Sequence, residues 1–358
     1  MTHPLIQSTH DVTAAWCTEL LRSTGDLGSD AAVTVAEVAP FGGAEGMVSS
    51  ILRVELDYDR QTEAPSSLII KLASQNDEMR FIADMLQFYA REVRFYRELR
   101  TTIDVTTPRC FLAEMYPDGQ GFIVVLEEVT GCRGIDQIEG MSFNDAQTAV
   151  EMLADFHAPF WGKVEPDLAE ALLPFNSPVL QQLIPAQNFE AWQKVRSKLV
   201  DDFPPELVAV FDSFVETAPR IMDDLMGEDT VTHGDCRADN LLFSPAGDVI
   251  ALDFQMMTNC SGLTDVAYLL SQSLHPDAQV RTPELIEAYF ARLATLEVDV
   301  DRDAAMKAYI AATIFFLGIP INILGNEGLH ERSVQLSRTM IERGVAEIVR
   351  TGAHLRYA

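Results

Sequence analysis

The sequence predicts an α+β protein with a β-rich N-terminal lobe, residues 1–129, and a mainly helical C-terminal lobe, residues 130–358. Three observations carry that prediction. Short β-rich stretches broken by turn residues dominate from residue 32 to residue 129. After Thr130-Gly131 the apolar residues fall into helical patterns that run to the C-terminus. A single β-rich patch, residues 231–254, interrupts the helical part.

The elements follow in order. Residues 11–22 read as a short amphipathic helix, and strands are expected at 32–38, 47–56 and 67–72. The loop Pro40-Phe41-Gly42-Gly43-Ala44-Glu45-Gly46 joins the first two strands. Residues 77–99 read as one long helix with Met85, Phe88, Tyr89, Val93 and Tyr96 as its apolar stripe. Strands at 109–115 and 122–129 flank the turn Pro117-Asp118-Gly119. Ser142 opens a helix that should stop near Pro159. Residues 308–326 carry no charge but hold Gly318, Pro320 and Asn322, with acids close to both ends. That stretch reads as a buried helix pair; a spanning helix, needing ~20 mostly apolar residues, is the competing reading.

The totals exclude more than they identify. Among 358 residues, 26 Lys and Arg face 54 Asp and Glu, a net charge of −28. Nucleic acid is excluded as a partner, because a phosphate backbone requires a basic footprint, and so is an anionic membrane surface. Cys17, Cys110, Cys132, Cys236 and Cys260 form no paired pattern, and residues 1–8 lack the basic start and apolar run of a signal peptide. Free thiols and a cytoplasmic protein are expected.

Chemistry concentrates in Val231-Thr232-His233-Gly234-Asp235-Cys236-Arg237-Ala238-Asp239-Asn240 and in Val249-Ile250-Ala251-Leu252-Asp253-Phe254. The turn Pro245-Ala246-Gly247-Asp248 makes the two a hairpin. Centred between Ala246 and Gly247, it pairs Leu242 with Ala251 and Asn240 with Asp253. Opposed side chains lie ~5 Å apart on one face, so an amide oxygen and a carboxylate meet, a donor set suited to magnesium. Asp235 precedes the pair on a loop, where it can meet a substrate hydroxyl. The alternative is that Asn240 and Asp253 cap a surface hairpin.

A second oddity lies in the first lobe. Lys71 ends an apolar strand, and Glu92 sits within the helical stripe with no Lys or Arg three or four residues away. A core-facing carboxylate without a counter-ion is costly, and a Lys71–Glu92 pair resolves both. An ordinary buried salt bridge, or a partly exposed Glu92, is the competing reading.

The pattern His233-Gly234-Asp235, Asn240, then Asp253-Phe254 resembles the aminoglycoside phosphotransferase and choline kinase family, and most of all its ecdysteroid kinase-like branch. The resemblance covers roughly residues 40–270. It implies a bilobal protein-kinase-like fold, with ATP in the cleft between a nucleotide-binding lobe and a catalytic, acceptor-binding lobe. It further implies Asp235 as catalytic base, Asn240 and Asp253 as Mg2+ ligands, and Lys71–Glu92 as the pair that positions the α- and β-phosphates. Gln255 and Gly234 stand where protein kinases have Gly and Arg. The stretch from Gly42 to Ser49 resembles the phosphate-covering loop, with Gly46 and Ser49 near the nucleotide, although a plain hairpin turn also explains its glycines. Glu127 and Val129 fall where backbone groups of the hinge would meet adenine. Asp265 matches the residue that braces the catalytic loop, or caps its own helix, and His157 belongs to a helix motif read as structural. The function implied is γ-phosphate transfer to a small-molecule alcohol. A catalytically silent nucleotide-binding sensor or scaffold is the alternative. The apolar content of residues 309–323, with Phe315, Phe316, Leu317 and Ile321, leans towards a hydrophobic acceptor.

Overall fold

The computed structural model describes residues 6, 8–41, 48–117, 119 and 121–358. It divides into two units, the first comprising Met1–Thr102, Thr106–Cys132 and Asp253–Met256, and the second the remainder.

The first unit holds α1 (Ala14–Ser23), β1 (Val33–Pro40), β2 (Ser49–Tyr58), β3 (Ser67–Ala73), α2 (Asp77–Met85), α3 (Phe88–Arg94), β4 (Cys110–Met115) and β5 (Phe122–Glu127). The strands form one antiparallel sheet in the order β1-β2-β3-β5-β4. Its two faces are covered by different helices. Trp16, Leu20 and Leu21 of α1 pack with Val54, Leu68, Ile70, Ile123 and Val125. Tyr89 and Val93 of α3 pack with Phe122, Val124 and Leu126. Strand β5 alternates between these two cores and so reads as an unbroken apolar run rather than a half-polar strand.

The long helix expected over 77–99 is broken. Gln87 adopts φ 56, in the left-handed region, between α2 and α3, and Phe95–Leu99 continues as a π-helical turn. Its stripe breaks with it: Phe88, Tyr89 and Val93 are buried, whereas Met85, on the far side of the break, is 38% exposed. Left-handed backbone at a non-glycine residue is disfavoured and no local signal marks it, so periodicity alone carries the helix through.

The second unit contains β6 (Arg133–Gly134), α4 (Phe143–His157), α5 (Pro166–Ala171), α6 (Pro178–Leu199), α7 (Pro205–Asp212), α8 (Phe214–Asp224) and β7 (Asp229–Thr232). Then come β8 (Leu241–Phe243), β9 (Val249–Ala251), β10 (Thr258–Ser261), α9 (Leu263–Gln272), α10 (Pro276–Gln279), α11 (Thr282–Thr295), α12 (Arg302–Leu324), α13 (Glu331–Thr351) and α14 (Ala353–Tyr357). Ser142 caps α4 by accepting from the Asp145 N–H, as its sequence signals. Every residue of α9 is buried, with α12 and α13 packed against it.

The uncharged stretch expected as a helix pair is one helix, α12, running through Pro320. It is the one helix among the described residues long and apolar enough to cross a membrane, yet 72% of that stretch is buried inside the protein. Its glycine permits a close approach: a Cβ on Gly318 would lie 2.6 Å from Asn188 Oδ1 of α6. Asn322 donates to the Gly318 carbonyl at 2.8 Å, engaging a carbonyl within the turn that Pro320, lacking an N–H, weakens.

Candidate active site

In the first unit, register explains the lysine. Lys71 pairs across strands with Ile51 and Val124. Its neighbours Ile70 and Leu72 face α1, so Lys71 faces α3 with Val124. There its Nζ lies 2.6 Å from Glu92 Oε1 and 3.1 Å from Asp253 Oδ1. Glu92 is fully buried and its Oε2 has no hydrogen-bond partner. Burial pushes the Glu92 carboxyl up to about 7, against the pull of Lys71. Burial also opposes the Lys71 charge, but Asp253 and Glu92 outweigh it and hold the ammonium above its ordinary value. The two shifts pull opposite ways on one pair. An ammonium held between two carboxylates at these distances stays charged, while the fully buried Glu92 keeps its raised carboxyl.

Asp253 sits at φ 65, where the chain leaves β9, and its side chain is 22% exposed. Phe254 behind it stacks on Phe95 of the π-helical turn, centroids 3.5 Å apart. Ser49 is buried at the start of β2, opposite Ala73. Gly46, with the whole stretch Gly42 to Met47, lies outside the described residues. Glu127 ends β5 with its N–H already given to the Arg109 carbonyl and its Oε1 accepting from the Arg109 N–H, both at 2.9 Å. Val129 follows the strand and is half-buried.

In the second unit, the segment after β7 is fixed by Asp265. Its carboxylate accepts from the backbone N–H groups of His233 (2.6 Å) and Gly234 (2.9 Å). It makes no cap to its own helix, which settles bracing over capping. Burial works to raise the Asp265 carboxyl, but His157, His233 and the Gly234 N–H hold it below its ordinary value. His157 is buried with Nε2 3.1 Å from Asp265 and Nδ1 2.8 Å from the Tyr289 hydroxyl, a structural position. His233 Nε2 contacts the Leu252 carbonyl at 2.9 Å, and Gly234 takes φ 80, a conformation glycine adopts without strain.

Asp235 projects from this braced turn. Asn240 Nδ2 donates to the Asp235 carbonyl (2.8 Å) and to its Oδ2 (2.9 Å), which leaves Asn240 Oδ1 as the atom able to bind a cation. Arg237 Nε lies 3.5 Å from Asp235 Oδ1, and its Nη1 lies 3.2 Å from Asp239. Asp239 is exposed, while the Asp235 side chain is only 17% exposed. Tyr268 is buried and stacks flat on Phe316 at 4.4 Å. Burial and the Asp235 charge push its phenol well above the ordinary range. Sequence reading missed Tyr268, Tyr289 and Arg237; the one available signal was Tyr268 standing a single helical turn after Asp265.

The hairpin register differs by one residue from the expected pairing. Leu241 pairs with Ala251 and Phe243 with Val249. Leu252, not Asp253, therefore stands opposite Asn240, with its N–H on the Asn240 carbonyl at 3.0 Å. The cause is the turn. Gly247 takes φ 96 and donates to the Ser244 carbonyl, and Ser244 donates to the Asp248 carbonyl. This is a three-residue loop ending in a left-handed residue rather than a two-residue turn. Phe315, Phe316, Leu317 and Ile321 are all buried in the second unit.

A β3 lysine bound to a helical glutamate, together with a carboxylate-bearing turn braced from a buried later helix, defines a kinase-like fold. The chain belongs to the ecdysteroid kinase-like family, whose sequence model matches residues 43–300. Among solved structures it is similar to a choline kinase from Cryptosporidium parvum Iowa II, with 12% identity, 95% of each chain covered and a TM-score of 0.54. A Plasmodium vivax ethanolamine kinase shares 11% identity over 88% of this chain and 84% of its own, TM-score 0.52. The GDP complex of aminoglycoside 2'-phosphotransferase-IIIa shares 14% identity over 93% and 98%, TM-score 0.53. At these identities the likeness is one of fold. No curated protein matches the chain in sequence.

Proposed function

We propose that the protein is an ATP-dependent small-molecule kinase that transfers the γ-phosphate to a substrate hydroxyl. The observation that carries this reading is Lys71 held between Glu92 and Asp253. A fully buried carboxylate with one unsatisfied oxygen is an expensive way to anchor a strand, whereas an ammonium fixed in this manner suits phosphate binding. Ser49, and Gly46 in the glycine-rich loop, cover the phosphates in this reading, and backbone groups at Glu127 and Val129 meet the base.

Asn240 and Asp253 are the proposed Mg2+ ligands. Amide and carboxylate oxygens are hard donors that fit the ion. Among the described residues no group of three or more His, Cys, Asp or Glu is placed to hold a metal; in this reading the nucleotide's phosphate oxygens would supply the further ligands. When bound, magnesium neutralises charge on the phosphate oxygens. Asp235 orients the acceptor hydroxyl and takes its proton, while Asn240, Arg237 and the Asp265 brace fix the direction in which that carboxylate points.

The alternative of a silent nucleotide-binding scaffold is favoured by no feature of the site, since Lys71, Glu92, Asp235, Asn240 and Asp253 are all present. The family and the neighbouring folds support small-molecule phosphotransfer, and a cytoplasmic location accords with five free cysteines. ADP release measured over a panel of alcohols, with and without magnesium, tests the reading. Release that depends on both acceptor and magnesium is expected; its absence across the panel, with ATP bound, would favour the scaffold.

A further inference from the structure

A cavity of about 240 Å³ opens in the second unit where the end of α6, the turn after α12 and the first half of α13 meet. Its apolar lining is Val195, Leu199, Leu324, Leu329 and Val334. Lys198 and Arg338 line it as well, with Asn326. Those two cations are unusual in this chain. It carries 54 acidic residues against 26 basic ones, and nearly every basic side chain is engaged by an acid, a carbonyl or a ring. Among the described residues only Arg97, Lys163, Lys198 and Arg338 have no ion pair, hydrogen bond or ring contact. Two of those four line this one cavity.

Helix electrostatics account for only one of them. Lys198 stands in the last turn of α6, where the helix dipole favours a cation. Arg338 lies inside α13 and gains nothing comparable. Two uncompensated cations beside an apolar hollow attract a ligand with the converse pattern, an anionic head on an apolar body.

We propose that this cavity binds a small amphiphilic anion, a medium-chain carboxylate or its sulfate equivalent. The body enters among Leu199, Leu324, Leu329 and Val334, and the head pairs with Arg338 and Lys198. The size agrees: a sealed hollow of ~150 Å³ holds one benzene ring, so this one accepts a somewhat larger body, such as a chain of about eight carbons. The site is separate from the residues assigned to phosphotransfer and does not rest on that assignment.

Calorimetric titration of the whole protein with octanoate, 1-octanol and octylamine tests it, without nucleotide or acceptor. Octanoate should bind one to one, at least tenfold more tightly than either comparison ligand, and more weakly as salt rises. Arg338→Gln and Lys198→Gln alter exposed side chains that nothing in the fold depends on, and each should weaken octanoate severalfold while leaving thermal stability unchanged. Leu329→Asn should weaken all chain ligands together. Equal affinity for octanoate and octanol, an unchanged octanoate affinity in Arg338→Gln, or no saturable binding would each overturn the proposal.

Discussion

Replacing Lys71 with methionine keeps the length and packing of the stem and removes only the charge. Glu92 then has no counter-ion, and Asp253, which is 22% exposed, can turn to water while Glu92, fully buried, cannot. Removing one partner of a buried pair costs ~3–5 kcal/mol, so Lys71→Met should be less stable by about that amount at pH 8. The pH dependence distinguishes this cause from simple loss of packing. Glu92 is raised in the folded protein from 4.5 to about 7, so the folded state binds the extra proton and stability falls as pH rises through that window. In the wild type the fall levels off above about 7. Without Lys71 the carboxyl titrates higher still, and stability should keep falling above pH 7 by about 1.4 kcal/mol per pH unit. Urea unfolding at pH 5.5, 7 and 8 measures the gap, which should narrow on acidification. Lys71→Met combined with Glu92→Leu should recover most of the loss, and neither variant should turn over ATP. A gap below about 1 kcal/mol at pH 8, or one that does not change with pH, would refute the uncompensated carboxylate as the cause.

Three further outcomes are expected. Asp235→Asn should lower kcat by ~10²–10⁴-fold with Mg-ATP binding nearly intact, and exposed Asp239→Asn should be close to wild type; steady-state kinetics with the reverse pattern would move the base to Asp239. Phe316→Ala removes a ring that is 1% exposed and stacked on Tyr268, so it should cost ~3–5 kcal/mol in denaturant unfolding and leave the KM for ATP unchanged; a selective rise in acceptor KM at full stability would instead assign these side chains to the acceptor site. Gly262→Ala places a Cβ 2.6 Å from the Tyr289 hydroxyl and 2.8 Å from His157 Nδ1, so its melting temperature should fall, and Tyr289→Phe in the same background should recover part of it by removing the clashing oxygen.

What the sequence determines by itself here is what short-range chemistry controls. Ser142 caps a helix wherever it is placed, and β2, β3 and β5 are dictated by apolar runs between turn residues. Lys71 and Glu92 were legible as a pair because each, alone, would be a buried charge without a partner. The tertiary structure decided what depends on a single backbone angle or on a distant neighbour. Gln87 at φ 56 splits the helix over 77–99, and Gly247 at φ 96 shifts the hairpin so that Leu252 stands opposite Asn240; one residue of slip in a strand exchanges its faces, and composition does not report it. Asp265 reads equally as a cap or a brace until α9 is packed beneath the His233–Gly234 turn, because a carboxylate shows its partners only when folding delivers their N–H groups to it. Residues 308–326 have the composition of either a core or a membrane helix. Only the helices around α12 show that its apolar surface is already covered, since burial belongs to the assembled fold and not to the segment.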